Sequence, residues 1–167
     1  MRSRIILLIG FVFSMAFYSC QKDNEYSIIP AIEFEEIKYF ENLNDTIDIV
    51  IRFTDGDGDI GFTQGDTLPP FNRDTAVYNY YYYNLHFFTY HFVDTAWVLF
   101  EFDDPYNDGS YRIKDITPKG QNKSLNGTIQ VGLRLSPAMP DSVFYEIELV
   151  DRALHISNRI QTPVIVK

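Results

Sequence analysis

The chain has 167 residues, with 23 acidic and 14 basic side chains and a formal net charge of −9 at pH 7. An acidic surface of this kind repels phosphate groups, so no nucleic-acid partner is expected. The 14 Phe and 12 Tyr residues favour strands over helices, and the length suits one domain with its own core.

The first 19 residues have the features of a secretory signal. Two arginines precede an apolar run, from residue 5 to residue 17, that is too short to cross a bilayer as a stable helix. Cys20 follows this run and is the only cysteine, so it cannot form an internal disulfide. A thiol in an ordinary signal peptide is one interpretation. We favour a lipoprotein signal peptide over residues 1–19, lipidation of Cys20 and a lipidated tether over residues 20–30.

The apolar pattern after the tether predicts about seven antiparallel strands joined by Gly, Pro, Asn and Asp turns. A change of parity across Glu35 and Glu36 predicts a bulge in the first strand. The predicted strands are residues 31–40, 47–54, 80–92, 97–102, 129–135, 143–149 and 163–167, with 111–113 as a short edge strand. This pattern predicts a single all-β domain over residues 31–167, an antiparallel sandwich of immunoglobulin or fibronectin type III.

An acidic loop follows the second predicted strand directly. Asp55, Asp57 and Asp59 alternate with glycine, and calcium prefers several carboxylate and carbonyl oxygens on a chain that can curl around it. The glycine that an EF-hand requires is displaced to Gly61, so this is not an EF-hand. The alternative is a solvated turn in which Asp and Gly serve the backbone conformation.

A fourth aspartate is predicted to join this loop. The apolar stripe of the second strand continues in register to Asp55, and the stripe of residues 143–149 continues in the same way to Asp151. Both carboxylates should point inward at one pole of the sandwich, where a calcium ion would relieve their repulsion. The alternative is that backbone amides, helped by Arg152 or Ser157, satisfy the acids without a metal.

The aromatic run of residues 80–92 is apolar on both faces of its predicted strand. Tyr82, His86 and Tyr90 share one of these faces and are candidate residues for binding a glycan or a protein partner. The alternative is that the long loops cover this face as part of the core.

The sequence contains none of the common catalytic motifs, so we expect no enzyme activity. Glu146 and Glu148 share a face, as a pair of glycosidase acids would. Their perfect alternation with apolar residues indicates instead the solvated side of a strand.

Several short motifs together are similar to those of small lipoproteins of Bacteroidota with one immunoglobulin-like domain. These motifs are Asp-Gly-Asp-Gly-Asp-Ile-Gly at 55–61, Tyr-Asn-Leu at 83–85, Thr-Pro-Lys-Gly at 117–120, Leu-Asn-Gly at 125–127, the segment 151–158 and Thr-Pro at 162–163. Residues 21–25 resemble the short Lys-plus-acidic signal that directs such lipoproteins to the cell surface. The resemblance implies location and fold but no particular activity.

These observations lead to one expected function and one alternative. We expect an outer-membrane, lipid-anchored protein, exposed at the cell surface, whose non-catalytic domain serves binding or structure and takes calcium as a cofactor. The alternative is a glycan-binding accessory lipoprotein that uses exposed tyrosines.

Overall fold

The computed structural model describes residues 26–40, 46–120, 122–135 and 139–166. Within these ranges the chain forms eight strands and two short 3-10 helices, Tyr80–Tyr82 and Pro105–Asn107. The strands are β1 (Ala31–Tyr39), β2 (Thr46–Asp55), β3 (Leu85–Val93), β4 (Ala96–Leu99), β5 (Leu125–Arg134), β6 (Ser142–Leu149), β7 (Ile160–Gln161) and β8 (Ile165–Val166). No helix in these ranges is long and apolar enough to span a membrane.

The strands form two antiparallel sheets. One sheet has the order β1-β2-β5, and the other has the order β4-β3-β6-β7 with β8 also paired to β6. Pairing of the second strand with the fifth, and of the third with the sixth, is the arrangement of immunoglobulin-type sandwiches. The prediction of an all-β antiparallel sandwich is confirmed.

The core lies between β2 of the first sheet and β3 and β6 of the second. Alternation puts every second side chain of β2 and β6 inside, and each of these is at most 5% exposed. They are Ile47, Ile49, Ile51 and Phe53 from β2, and Val143, Tyr145, Ile147 and Leu149 from β6. Burying one large apolar side chain contributes about 1.5–3 kcal/mol, so these two stripes are a major source of stability.

The first and the last strands of the chain match the predicted strands to different degrees. The predicted bulge in β1 is present, as a register shift between Phe34 and Glu36. The predicted last strand, 163–167, is confirmed in part as β8, whereas β7, which pairs with β6 earlier in the chain, was not predicted. Pro163 has no N–H for a ladder and lies between the two pieces. The described ranges therefore contain eight strands, of which β7 and β8 together form one interrupted strand.

The predicted strand over residues 80–92 is wrong in its first part. Tyr80–Tyr82 form a 3-10 helix, and the Asn79 side chain caps it by accepting a hydrogen bond from the Tyr81 N–H. The strand begins only at Leu85. The predicted edge strand at 111–113 is also absent from the described strands, since Tyr111 forms only an isolated bridge with Leu85.

Arg112 fastens the long connection between β2 and β3 to the body of the domain. Its guanidinium donates to the carbonyls of Asp66 at 2.8 Å, of Phe71 at 3.1 Å and of Tyr82. It also lies 4.8 Å from the ring centroid of Phe62. The connection is therefore packed against the sandwich.

Candidate functional site

Four aspartates meet at one pole of the sandwich, where strands from both sheets end. Asp55 is the last residue of β2, and Asp151 follows β6 by two residues. Asp57 and Asp59 extend from the loop after β2. One carboxylate oxygen from each of the four lies within 4.8 Å of the others. The structure therefore brings together all four residues that the sequence singled out as metal ligands.

Glycine is required at two positions for this loop to curl. Gly58 has a φ of +65°, and a Cβ there would lie 1.8 Å from the Lys123 carbonyl oxygen. A Cβ on Gly56 would lie 2.3 Å from the Tyr26 carbonyl oxygen. The glycines between the aspartates therefore allow the loop to pack against two neighbouring segments while its carboxylates converge.

Two of the four carboxylates are fully buried, and three are incompletely satisfied. Asp55 and Asp151 are both 0% exposed. The Oδ1 atoms of Asp55, Asp57 and Asp59 are buried and have no hydrogen-bond partner. Buried polar atoms are nearly always hydrogen-bonded, and an unpaired buried carboxylate is costly. A proton or a cation would stabilise three such oxygens in one cluster.

Three of the other oxygens contact groups in the same two loops. Asp55 Oδ2 accepts from the Asp59 N–H at 3.1 Å. The two oxygens of Asp151 contact the backbone N–H and the Nδ1 atom of His155, each at 2.8 Å. Backbone groups thus satisfy part of the cluster, as the metal-free alternative requires.

The two side chains that this alternative named are engaged elsewhere. The Arg152 guanidinium pairs with Asp66 at 2.8 Å. The Ser157 hydroxyl accepts a hydrogen bond from the Leu149 N–H and donates one to the Asn158 carbonyl. Among the described residues, no Lys or Arg forms an ion pair with the four aspartates.

Burial and mutual repulsion make these groups hard to ionise. Burial, with added repulsion from the other three carboxylates, raises the pKa of Asp55 to about 7. Burial is also the main cause of the raised pKa of Asp59 and of Asp151. Two unit charges 4.8 Å apart repel by about 3 kcal/mol at an effective dielectric constant of about 20.

The donor set fits a hard divalent cation. All four groups offer carboxylate oxygens, which suit calcium, magnesium or manganese better than softer metals. Calcium binds oxygens at about 2.3–2.6 Å, so ligands on opposite sides of it are about 4.6–5.2 Å apart. The 4.8 Å limit within the cluster agrees with that span. The cluster could therefore hold a metal ion and is a candidate cation site.

The predicted binding residue His86 is buried in an aromatic stack. It is 2% exposed, and its ring lies 3.9 Å from that of Tyr80, nearly parallel to it. Burial lowers the pKa of His86 to about 4, so the ring is neutral at pH 7. The Tyr80 hydroxyl donates to Glu148 at 2.8 Å, which fixes the stack to β6.

Tyr82 and Tyr90 belong to two other groups of side chains. The Tyr82 ring contacts Tyr106 and lies under Arg112, at centroid distances of 5.2 and 4.8 Å. The Tyr90 ring stacks on Phe144 at 4.7 Å. The structure does not bring Tyr82, His86 and Tyr90 together, because Tyr82 lies in the 3-10 helix and not on the strand.

Glu146 and Glu148 are less solvated than their alternation predicts. Their side chains are 24% and 13% exposed, and Arg159 pairs with both, at 3.1 and 2.8 Å. The pKa of Glu148 is lowered, chiefly through its hydrogen bonds to Arg159 and Tyr80, against the opposing effect of burial. One arginine therefore holds both carboxylates.

Two residues with important structural contacts were not predicted from the sequence. His155 is the partner of Asp151, and the only sequence signal for it is its position four residues later in the same loop. Arg112 was predicted only as part of an edge strand, although it binds three carbonyls of the long connection. The predicted lipidation site, Cys20, lies outside the described residues.

Comparison with protein-family models, with curated proteins and with solved structures finds no match to this chain. The fold and the site define its class. It is an all-β protein with two antiparallel sheets and a cluster of four aspartates, able to hold a metal ion, at the pole where both sheets end.

Proposed function

We propose that this chain is a lipid-anchored outer-membrane protein whose non-catalytic β-sandwich serves binding or structure and is stabilised by calcium. The calcium part is carried by one observation, the convergence of four carboxylates with three buried oxygens that lack partners. The anchoring part is supported by the signal-like first 19 residues and the single cysteine that follows them.

The position of the cluster gives the cation a structural role. Asp55 belongs to the β1-β2-β5 sheet, and Asp151 follows β6 of the other sheet. In the same loop, the Gly56 N–H donates to the Ser27 carbonyl at 2.7 Å. An ion at this pole would hold the two sheets together, next to the segment that leads into β1.

The ionic state of the paired glutamates supports a non-catalytic role. A glycosidase needs one carboxylic acid and one carboxylate with separate environments. Arg159 instead binds Glu146 and Glu148 at once. Glycan binding through Tyr82, His86 and Tyr90 would be the alternative function. These three residues do not share a common surface, and this favours the calcium-stabilised domain over the glycan-binding alternative.

Thermal unfolding of the purified protein with calcium and with chelator tests the proposal. Extracellular calcium sites typically have a Kd of about 10⁻⁴–10⁻³ M, so about 5 mM calcium should stabilise the fold by about 1–2 kcal/mol. For a domain of this size that corresponds to a rise in Tm of about 3–10 °C. Magnesium should give a smaller rise, because it requires shorter distances and a stricter geometry.

Matched variants make this test specific. Asp57→Asn and Asp151→Asn should abolish the calcium-dependent rise in Tm. Asp141→Asn changes an exposed aspartate outside the cluster and should keep the rise. Identical melts with calcium and with chelator would remove calcium from the proposal and leave the loop as a structural turn.

A further inference from the structure

The hydrogen-bond ladder between β3 and β4 stops before β3 does. β4 ends at Leu99, and the last bond of the ladder runs from the Phe100 N–H to the Thr89 carbonyl at 2.8 Å. Antiparallel strands direct alternate residues to the same neighbour, so the N–H and C=O of Phe87 point to this side as well. The Phe87 N–H donates to Ser110 Oγ at 3.2 Å. Among the described residues, none donates to the Phe87 carbonyl.

A cleft of about 390 Å³ opens where the ladder stops. Both Phe87 and Thr89 line it, and rings from β3, from the 3-10 helix region and from the segment after β4 form its walls. These rings are those of Tyr78, Tyr80, Phe88, Phe100 and Phe102. The volume of the cleft lies within the range of small-ligand sites.

The charged side chains that line the cleft are acidic. Glu101 and Asp108 line it, and none of the described lining residues is Lys or Arg. His86 also lines it, with a buried Nε2 atom that has no hydrogen-bond partner. Arg159 lies over the Phe88 ring, but its charge is paired with two glutamates of β6.

We propose that this cleft binds an organic ammonium group, a protonated amine with an apolar chain. The aromatic walls would cover the chain and attract the cation, since ring faces carry negative potential. The Phe87 carbonyl and the Glu101 carboxylate would accept hydrogen bonds from the ammonium. This inference goes beyond the calcium-stabilised domain and rests on different residues.

A titration of the full chain with hexylammonium, followed by NMR, tests the chemistry. We expect saturable shifts of the amide signals of Phe87 and Phe100. Three probes with the same chain separate the contributions: hexanol has no charge, hexanoate has the opposite charge, and hexyltrimethylammonium has no N–H donors. Hexanol and hexyltrimethylammonium should bind more weakly than hexylammonium, and hexanoate should not bind.

Charge-removing variants locate the site. Glu101→Gln should weaken hexylammonium binding by about two- to fivefold, as expected for one solvent-exposed carboxylate. Adding Asp108→Asn should weaken it further and leave hexanol binding unchanged. Glu33→Gln removes an exposed acid from the other sheet and should have no effect. Circular dichroism shows whether each variant folds, and Phe100→Ala gives a second, uncharged test of the walls.

The ammonium group could belong to a lysine side chain of a partner protein or to a free amine. A titration with a lysine whose backbone amino and carboxyl groups are both blocked distinguishes these two sources. Binding as tight as that of hexylammonium would support the ammonium site and assign it to a lysine side chain of a partner protein. Binding more than tenfold weaker, with hexylammonium still bound, would support the site and assign it to a free amine. Equal binding of hexanol and hexylammonium, or equal affinity of the Glu101→Gln and Glu33→Gln variants, would overturn the proposal. Each result should be the same with calcium and with chelator.

Discussion

Without a divalent cation, the domain should become more stable as the pH falls from about 8 to about 5. The main cause is Asp55, whose pKa is raised to about 7 in the folded chain from an ordinary value of 3.8. The folded state therefore binds a proton that the unfolded state releases over most of this range. The sign is the reverse of the usual acid denaturation, in which carboxylates with lowered pKa lose stabilising contacts as they are protonated.

The size of the effect follows from proton linkage. A group with a folded pKa of about 7 is almost fully ionised near pH 8 and almost fully protonated near pH 5. Its proton uptake over that interval corresponds to about 2–3 kcal/mol of folding free energy. Asp55 is 0% exposed, so solvent screening does not reduce this figure. Asp59 and Asp151, whose pKa values are also raised, add to the effect in the same direction.

Urea unfolding in chelator at several pH values measures this dependence. The free energy of unfolding should rise by about 2 kcal/mol or more between pH 8 and pH 5. Saturating calcium should flatten the curve, because the ion offsets the repulsion that makes ionisation unfavourable. Asp55→Asn, which has no proton to bind, should flatten the curve without calcium, whereas Asp141→Asn should leave it steep.

His155 must be separated from Asp55 in this experiment. Its contact with Asp151 raises its pKa, so the pair stabilises the fold at low pH and loses that contribution as pH rises through the folded pKa of His155. This contribution has the same sign as that of Asp55. His155→Gln should remove it and leave most of the slope. If the free energy of unfolding in chelator stays constant or falls from pH 8 to pH 5, the raised pKa of Asp55 and the repulsion among the four aspartates would be refuted.

Three further changes test the core, the long connection and the anchor. Ile147→Ala, at a fully buried position of β6, should cost about 2–5 kcal/mol in urea unfolding, and a cost below about 1 kcal/mol would contradict the packing described. Arg112→Ala should lower the free energy of unfolding by about 3 kcal/mol or more, because three carbonyls lose a charged donor. Arg134→Ala, at an exposed position, is the control and should cost less than about 0.5 kcal/mol. Equal costs for the two variants would contradict the role of Arg112. Cys20→Ser should leave the protein without lipid and outside the membrane fraction, and its detergent-dependent retention there would contradict lipid anchoring.

The convergence of Asp55 and Asp151 could be predicted from alternation together with the topology of the sandwich. Each apolar stripe fixes which side of its strand faces the core, so the parity of Asp55 and of Asp151 follows from the residues before them. Strands two and six of this type of sandwich end at one pole, which brings the two carboxylates together. The sequence thereby predicted the location of the cluster, although the binding of an ion there stays a prediction.

The strand prediction for residues 80–92 was wrong in its first part because this aromatic run has no polar side. Alternation is informative only where two faces differ, and Tyr80 to Tyr83 are identical residues on both. Asn79 then decides the conformation locally, because its side chain caps a 3-10 turn that periodicity does not reveal. The error moved Tyr82 off the strand and separated it from His86 and Tyr90.

Long-range ion pairs were the other feature that the sequence could not supply. Arg159 lies 11 residues beyond Glu148, yet the two meet because β7 returns antiparallel beside β6. Arg112 reaches carbonyls 30 to 46 positions away in the chain. These contacts depend on how loops close over the sheets, and no local spacing rule encodes that.

The acidic pole and the apolar core are parts of one arrangement. Asp55 and Asp151 are buried because the stripes that form the core continue into them, so the same alternation that stabilises the sandwich brings like charges together at its end. Protons and a divalent cation relieve the same repulsion and therefore compete for the same oxygens. Calcium should accordingly bind more weakly near pH 5 than near pH 8, where Asp55 is ionised. The pole would then be neutralised by protons in acid and by the cation at neutral pH, and in both states the two sheets could close over their shared end.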